Sequence, residues 1–320
     1  MREYANVRLR ARDLPHRMQD YLNTLPPFVN RAQDYKRTIF KAMIRSNTAE
    51  IEPCAPEIDI INSVDDEQCP PLEFYYTNYM WHSDSVPTLD ASKLKGCGCY
   101  PVCLPDSKCS CLKRQQDFYD ETMSGFNYSQ GRLKYEEYPI FECNALCGCD
   151  EDCRNRVVQH GRKHAINIEK TKEKGWGVFA AEHIPAKTFV GIYSGEFITD
   201  VEGETRGKIY HLGSRTYLFD IDFWHLKKGK EDWEVKYCVD AFHAGNFTRY
   251  LNHSCEPNCL LVPVYINEPD LEKPMLAIFT SKDVYVHQEL CFSYFGPPDG
   301  EQEEDVSRLL EHGFVISYSK

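Results

Sequence analysis

Nine of the 15 cysteines in this 320-residue chain lie between residues 97 and 153. They form a group of five and a group of four, separated by a polar loop over residues 117–132. The two groups are Cys97, Cys99, Cys103, Cys109 and Cys111, then Cys143, Cys147, Cys149 and Cys153. Neither a helix nor a strand favours this composition, whereas closely spaced thiolates supply the soft ligands that tetrahedral zinc prefers. We therefore expect a zinc-binding region, with scattered buried thiols as the alternative.

The number of cysteines constrains the kind of metal site. Two separate sites of four cysteines each would leave one thiol over. Three zinc ions need twelve coordination positions, and nine thiolates supply twelve if three of them bridge two ions each. The count therefore permits a closed cluster of three zinc ions. Such a cluster leaves no open position for water, so we expect a structural role in which metal binding is coupled to folding.

The composition indicates a folded protein, since 42% of the residues are hydrophobic and 27% are charged. No apolar run reaches about 18 residues, and the N-terminus lacks the apolar core of a signal peptide, so we expect neither a membrane span nor export. The cysteines should therefore lie in a reducing compartment, where metal ligands and buried thiols are more common than disulfides.

The net charge of −12, from 49 acidic and 37 basic residues, bears on the partner. It argues against direct nucleic-acid binding, which needs a basic surface. It suits a basic polypeptide, because an acidic cleft would favour the approach of such a chain. The alternative is that the acidic excess serves only solubility.

The N-terminal part has the pattern of two helices followed by an extended segment. Apolar residues at helical spacing end at Pro26-Pro27, and a second helix is predicted from Phe28 to about Arg45. Residues 51–92 contain no lysine or arginine, but they are rich in acidic, aromatic and branched apolar residues. We expect this segment to pack in extended form over a neighbouring surface.

From Ala165 onward, short β-prone runs are punctuated by glycine and proline, which predicts a mainly β fold with some helix, built of small curved sheets. The runs are residues 166–168, 177–181, 189–193, 217–221 and 276–280. A weak helical pattern covers Asp200 to Tyr210. We expect four parts: a helical and extended bracing segment (1–92), a zinc-binding region (93–160), a mainly β domain (161–296) and an acidic tail (297–320).

Four short motifs stand out in the β region, and the stretch from Arg249 to Asn258 is the most unusual. It contains an Asn-His-Ser-Cys cluster, Asn252 to Cys255, between apolar runs, and such polar groups are costly to bury unless each finds a partner. Alone, the cluster could be a turn closed by Asn252 and Pro257. The other three motifs are Lys174-Gly175-Trp176-Gly177-Val178, Tyr193-Ser194-Gly195-Glu196 and Glu289-Leu290-Cys291-Phe292-Ser293-Tyr294.

In their order along the chain, the four motifs resemble those of the SET-domain protein lysine methyltransferases, from about Ala165 to Tyr294. The two cysteine groups resemble the pre-SET region of the suppressor-of-variegation 3-9 class of histone methyltransferases, which holds a three-zinc cluster. The resemblance implies a SET-domain fold, in which the Asn-His-Ser-Cys segment is threaded under a loop to form a pseudoknot. It also implies S-adenosylmethionine as donor, three structural Zn²⁺ ions, histone H3 lysine 9 as substrate, a place on heterochromatin in the nucleus, and chromatin-targeting proteins as partners.

The same resemblance implies roles for individual residues. The two tyrosines expected to act in catalysis are Tyr294 and Tyr193. The residues expected to bind the donor are Lys170, Gly175, Trp176, Gly177, Tyr217, Arg249, Asn252 and His253. The residues expected to contact the substrate are Phe219, Asp222 and Phe292. A phenylalanine at position 292 leaves room that a tyrosine hydroxyl and its water would fill, which implies di- or trimethylation. A catalytic-base role is the alternative for His253.

The chemistry of lysine methylation explains these residue types. The acceptor amine must be neutral, and with a lysine pKa of about 10.4 the neutral form costs about 3 kcal/mol at pH 8. An aromatic, desolvating channel lowers that pKa, and tyrosine hydroxyls can aim the lone pair of the amine. No strong general base is therefore needed.

One family feature is missing from the sequence. Relatives usually carry a post-SET segment of three cysteines, which binds another zinc with the cysteine of the Asn-His-Ser-Cys motif and closes the lysine channel. No cysteine follows Cys291 here, so Cys255 is expected to lack its usual zinc partners, and Phe314 or Tyr318 is a candidate for the missing wall. A zinc-stabilised histone-tail binding module or regulatory pseudo-enzyme, and a methyltransferase of a non-histone protein, remain the alternatives.

Overall fold

A computed structural model describes residues 33–72, 74–105, 108–211 and 217–294 of the chain. These residues form four helices, α1 (Gln33–Ile51), α2 (Ser110–Gln116), α3 (Asp200–His211) and α4 (Trp224–Lys227). Their strands are β1 (Ile58–Ile61), β2 (Tyr75–Tyr76), β3 (Trp81–His82), β4 (Tyr128–Ser129), β5 (Arg132–Leu133), β6 (Ile140–Phe141), β7 (Ile166–Lys170), β8 (Trp176–Ala180), β9 (Phe189–Ile192), β10 (Glu196–Thr199), β11 (Leu218–Asp220), β12 (Tyr237–Asp240), β13 (Ala244–Gly245), β14 (Asn252–His253), β15 (Cys259–Tyr265), β16 (Met275–Thr280) and β17 (Glu289–Phe292).

The strands form small sheets, which confirms the predicted mainly β architecture. One sheet has the order β1-β7-β8-β17-β14, and two others have the orders β11-β12-β10-β3 and β6-β15-β16-β9. Two-stranded pairs are formed by β13 with β2 and by β4 with β5. The early strands β1, β2, β3 and β6 each pair in parallel with a strand that lies beyond residue 165. None of the described helices is long and apolar enough to cross a lipid bilayer.

Helix α1 ends at Ile51, so the predicted end at about Arg45 is wrong. The buried positions Phe40, Ile44 and Thr48 continue at a spacing of four residues, so one face of the helix stays packed past Arg45. This packing overrides the weak helix propensity of residues 46–48. The first predicted helix and the start of the second lie outside the described residues.

Phe74 connects helix α1 to the segment that carries the Asn-His-Ser-Cys cluster. Its ring centre lies 6.2 Å from that of Phe40 and 6.0 Å from that of Tyr250, and both contacts are edge-to-face. All three rings are buried in one hydrophobic core. The N-terminal segment therefore forms the support behind the candidate site.

Helix α3 confirms the weak helical pattern, and it is held in place by a buried polar network. Arg206 forms ion pairs with the buried carboxylates of Glu196 and Asp240, and the Tyr210 hydroxyl donates to Asp240 Oδ2 at 2.7 Å. The Tyr210 ring stacks on Phe242 at 4.3 Å between centres. Because buried carboxylates need such partners, the network fixes α3 over β12, beside the candidate site.

Candidate active site and metal centre

The Asn-His-Ser-Cys segment lies beside β17, the last described strand. A short 3-10 helix, Phe247–Tyr250, leads into β14, which pairs in parallel with β17. In this register Asn252 lies opposite Cys291, and His253 lies opposite Phe292. Two motifs that are well separated in the sequence therefore meet at one point of the fold.

Asn252 links this point to the glycine-rich motif. Its Nδ2 donates to Glu289 Oε1 at 2.6 Å and to the carbonyl oxygen of Trp176 at 3.3 Å. A Cβ atom on Gly177 would lie 2.7 Å from the same Glu289 oxygen and 3.0 Å from Asn252 Nδ2, so a larger residue here would displace this hydrogen-bonded pair. Gly175 has a φ of +74°, which glycine adopts without strain. The two glycines thus meet different requirements, one for space and one for backbone conformation.

His253 uses one ring nitrogen to hold the backbone of the last motif. Its Nδ1 accepts the backbone N–H of Tyr294 at 3.2 Å, and its Nε2 lies 3.5 Å from Cys255 Sγ. Burial and the nearby Lys174 ammonium lower the pKa of His253, which favours the neutral ring. A neutral ring that accepts at Nδ1 carries its proton on Nε2. This geometry favours a structural role over that of a catalytic base.

The hydroxyls of the two tyrosines predicted to act in catalysis each donate a hydrogen bond to the backbone. The Tyr294 hydroxyl donates to the carbonyl oxygen of Leu251 at 2.8 Å, and the Tyr193 hydroxyl donates to that of Tyr217 at 3.0 Å. Burial raises the pKa of both phenols, and for Tyr193 the neighbouring Tyr294 raises it further. Both groups therefore stay protonated at neutral pH, as neutral hydrogen-bonding groups.

Aromatic rings surround these hydroxyls. The ring centre of Phe292 lies 5.0 Å from that of Tyr294, and Phe219 lies 6.1 Å from Tyr193. Tyr294 is 48% exposed, although its hydroxyl is hydrogen bonded inside the protein. Such an arrangement can take a long, flexible side chain from the surface and desolvate its tip.

Arg249 is buried, and its guanidinium lies between two aromatic rings. The Cζ atom is 3.9 Å from the ring centre of Phe74 and 4.2 Å from that of Tyr217. Its Nε and Nη2 donate to the carbonyl oxygens of Ala241 and Phe242, at 3.0 and 3.3 Å. In this structure Arg249 supports Tyr217, and its contact with a donor molecule stays a prediction.

Lys170 and Trp176 meet at one carboxylate that the sequence motifs did not reveal. Glu67 Oε2 accepts from Lys170 Nζ and, at 3.2 Å, from Trp176 Nε1. The ammonium of Lys170 also lies 5.5 Å from the centre of the Trp176 ring system. The signal was present only as an acidic run in residues 51–92, which by itself does not indicate a contact with β7 and β8.

Carboxylates are concentrated around β11, which lies at the edge of its sheet. Burial and the carboxylates of Asp222, Asp200 and Glu204 raise the pKa of Asp220 to about 6. Asp222 also accepts from Lys227 Nζ at 3.3 Å. A sheet edge with this charge suits an extended basic peptide, which can pair with the strand through its backbone.

The nine cysteines of the two groups converge into one cluster. Among the described residues, Leu112 and Phe126 are the only other buried hydrophobic side chains in it. Three sets of four Sγ atoms lie within 4.8 Å of one another: Cys97, Cys99, Cys103 and Cys109; Cys97, Cys111, Cys143 and Cys147; and Cys97, Cys103, Cys143 and Cys149. The remaining cysteine, Cys153, has its Sγ 3.9 Å from that of Cys143.

The spacing of the sulfur atoms fits tetrahedral zinc. A Zn–S bond of about 2.3 Å in tetrahedral geometry places ligand sulfurs about 3.8 Å apart. Cys103 Sγ lies 3.5 Å from the sulfurs of Cys97 and Cys143 and 3.6 Å from that of Cys109. Cys97, Cys103 and Cys143 each occur in more than one set of four. The residues present therefore fit a cluster in which three thiolates are shared.

Comparisons with known proteins agree with this geometry. The Pre-SET motif family matches residues 50–156, and the SET domain family matches residues 175–295. A histone-lysine N-methyltransferase of Cryptococcus neoformans, described as H3 lysine-9 specific, is 40% identical over 300 residues. The alignment covers 83% of this chain but 16% of that relative, so this chain spans only a small part of the relative's length.

Two solved structures are similar to the fold described above. The Neurospora SET domain protein DIM-5, a histone lysine methyltransferase, has a TM-score of 0.67 and 32% identity, covering 76% of this chain and 96% of that one. KRYPTONITE in complex with mCHH DNA, an H3(1-15) peptide and SAH has a TM-score of 0.62 and 28% identity. The match covers 76% of this chain and 46% of that one. The motifs, the fold and these relatives together establish that the chain belongs to the pre-SET and SET-domain family of histone-lysine methyltransferases, in the suppressor-of-variegation 3-9 class.

Proposed function

We propose that this chain is an S-adenosylmethionine-dependent protein lysine methyltransferase that acts on histone H3 at lysine 9. The observation that carries the proposal is the junction of β14 and β17, where His253 lies opposite Phe292 and the Tyr294 ring packs 5.0 Å from that of Phe292. The substrate is supported by the H3 lysine-9 specific relative and by the H3 peptide bound to KRYPTONITE.

The donor would be held by residues around the same junction. When bound, S-adenosylmethionine supplies a methyl group already activated on a sulfonium. Gly175 and Gly177 let the backbone come close, and Trp176 offers an indole ring beside them. Asn252 and His253, fixed by their hydrogen bonds to neighbouring backbone, supply the polar edge. Lys170, Tyr217 and Arg249 complete the proposed donor-binding set.

The acceptor lysine would enter between the aromatic rings. Desolvation by Phe219, Phe292 and the tyrosine rings lowers the pKa of the lysine and favours its neutral amine. The protonated hydroxyls of Tyr193 and Tyr294 can accept from the amine N–H groups and thereby direct its lone pair. The carboxylates near β11, including Asp222, would attract the other basic residues of the peptide.

The cysteine cluster would hold three structural zinc ions. Cys97, Cys103 and Cys143, which recur among the sets of four sulfurs, would be the shared thiolates, and the other six cysteines would complete the three coordination shells. All positions are filled by sulfur, so the cluster takes no part in the transfer. A nuclear, chromatin-bound location and chromatin-targeting partners complete the proposal. The net charge of −12 favours histone over direct nucleic-acid contact.

The direct test is methyl transfer from labelled S-adenosylmethionine to an H3 tail peptide, read by mass spectrometry. We expect methyl groups on lysine 9, and no transfer to a peptide in which that lysine is arginine. Donor binding is measured separately by calorimetry. If the chain binds the donor but modifies no H3 peptide, a peptide array separates a methyltransferase of another protein from a histone-tail binding module.

Replacement of Phe292 by tyrosine should reduce the number of methyl groups added. The new hydroxyl would lie beside Tyr294 and fill space that a second methyl group needs. We expect a product distribution dominated by monomethyl-lysine for Phe292→Tyr and by di- and trimethyl-lysine for the parent chain. Phe118→Tyr, which adds the same hydroxyl next to Phe141, is the control and should change nothing. An unaltered distribution in Phe292→Tyr would remove this position from product control.

A further inference from the structure

An acidic turn from the N-terminal segment reaches the proposed donor pocket. Strand β1 pairs in parallel with β7, and Ile61 at its end lies opposite Glu169. Because the two strands are parallel, the chain that follows β1 leaves the sheet at the same end at which Lys170 closes β7. Glu67 on this turn places one carboxylate oxygen against both Lys170 Nζ and Trp176 Nε1.

The turn itself is held rigidly by its own side chains. Asn62 Oδ1 accepts the backbone N–H groups of Val64 and Asp65, at 2.8 and 3.2 Å. Asn62 Nδ2 donates to the carbonyl oxygen of Glu67 at 2.5 Å. Arg37 on α1 donates to the carbonyl oxygen of Gln68 at 3.0 Å, which ties the end of the turn to the helix. The backbone that carries Glu67 is thus held in place by side chains of the turn and of α1.

The Glu67 carboxylate links the side chains of Lys170 and Trp176. The Trp176 side chain is buried, and the Lys170 side chain is only 17% exposed. Burial lowers the pKa of Lys170, but Glu67 and Asp65, whose Oδ2 is 3.6 Å from Nζ, outweigh this and raise it. The ammonium is therefore kept charged, and the indole is kept in one orientation by a charge-assisted hydrogen bond.

We infer that Glu67 is a positioning residue for the methyl donor: its single carboxylate oxygen orders Lys170 and Trp176 before the donor arrives. The inference rests on the proposed function, because it requires that these two residues contact the donor. Ordering two side chains in advance removes part of the entropy that binding would otherwise lose. Glu67 then acts on donor affinity through Lys170 and Trp176, without touching the lysine substrate.

The test compares donor binding to the zinc-loaded chain and to three variants, by calorimetry with S-adenosylmethionine. For Glu67→Ala we expect the Kd to rise roughly tenfold, as for loss of a charged hydrogen bond. Glu67→Gln keeps an oxygen that can accept from Trp176 Nε1, so it should recover part of the affinity. Glu57→Ala removes an exposed carboxylate that pairs with Arg45 near the same strand, and it should bind like the parent chain.

Two further measurements distinguish a positioning role of Glu67 from a general loss of structure. The kcat at saturating donor and the KM for the peptide should be unchanged in Glu67→Ala, whereas partial unfolding would lower kcat. In a Lys170→Gln background, Glu67→Ala should cost less affinity than in the parent chain, because one of its two contacts is already gone. An unchanged Kd in Glu67→Ala, or an equal loss of donor affinity in the parent and Lys170→Gln backgrounds, would overturn the inference about Glu67 but leave the proposed function intact. A parent chain that binds no donor would overturn the proposed function with it.

Discussion

Removal of zinc is expected to unfold the region around the nine cysteines. Among the described residues, the cluster formed by the nine cysteines includes only Leu112 and Phe126 as other buried hydrophobic side chains, which is far too little for an apolar core at its centre. Structural zinc contributes about 10–16 kcal/mol per ion, whereas a whole domain is stable by about 5–15 kcal/mol. A strong chelator should therefore abolish cooperative unfolding of this part of the chain and end methyl transfer.

Metal analysis and two cysteine variants make this prediction quantitative. We expect three zinc ions per chain. Cys97→Ser should lose more zinc than Cys99→Ser, because Cys97 is one of the three thiolates proposed to bridge two ions, whereas Cys99 would bind one. Cys54→Ser, at an exposed thiol outside the cluster, is the control and should retain all three ions. One or two zinc ions in the parent chain, or a native thermal transition in excess chelator, would contradict the cluster.

Replacement of Tyr294 by phenylalanine is expected to reduce kcat by about 100-fold or more, the usual range for removing one positioned hydrogen-bonding group from a reaction centre. The hydroxyl that now donates to the Leu251 carbonyl would be lost, while the ring could keep its packing against Phe292 and His253. Donor affinity, measured by calorimetry, should therefore stay within a few-fold of the parent value.

The matched control is Tyr285→Phe, at a tyrosine that is 60% exposed and packs on His183. It should leave kcat unchanged. In the parent chain the rate should rise with pH toward the pKa of the acceptor amine, because the neutral amine is the reactive form. Burial raises the pKa of Tyr193 and Tyr294, so their ionisation should not reverse this rise below about pH 10. Full activity in Tyr294→Phe would exclude its hydroxyl from the reaction.

The parts of the fold that depend on residue identity could be predicted from the sequence. The cysteine spacing indicated metal binding and its count permitted one cluster, and the structure brings all nine thiols together. The β-prone runs after Ala165 became strands because their apolar residues pack on both sides of small sheets. The end of α1 could not be predicted, since the burial of Thr48 depends on the surface beneath the helix and not on local propensity.

Two sets of contacts in the candidate site depend on the fold and were not revealed by the sequence. Glu67 lies 103 positions before Lys170, and only the parallel pairing of β1 with β7 brings them together. The hydrogen bonds of the Arg249 guanidinium to the carbonyl oxygens of Ala241 and Phe242 were likewise not foreseen, while its contact with the methyl donor stays a prediction. The spacing of residues along a chain does not show which atoms a side chain will bond to. The partners of Arg249 are backbone atoms, and their positions are set by the whole fold.

The parallel pairing of the early strands affects how the chain can fold while it is being synthesised. Ile58 pairs with Ile166, and Tyr75 pairs with Ala244, so each early strand must wait for a partner that is translated much later. At about 5–20 residues per second, this delay is on the order of ten seconds. During it, Phe74 lacks the later part of its core, including Tyr250, so apolar surface stays exposed and prone to aggregate. The cysteine region is complete before those partners appear, so zinc can fold the middle of the chain first.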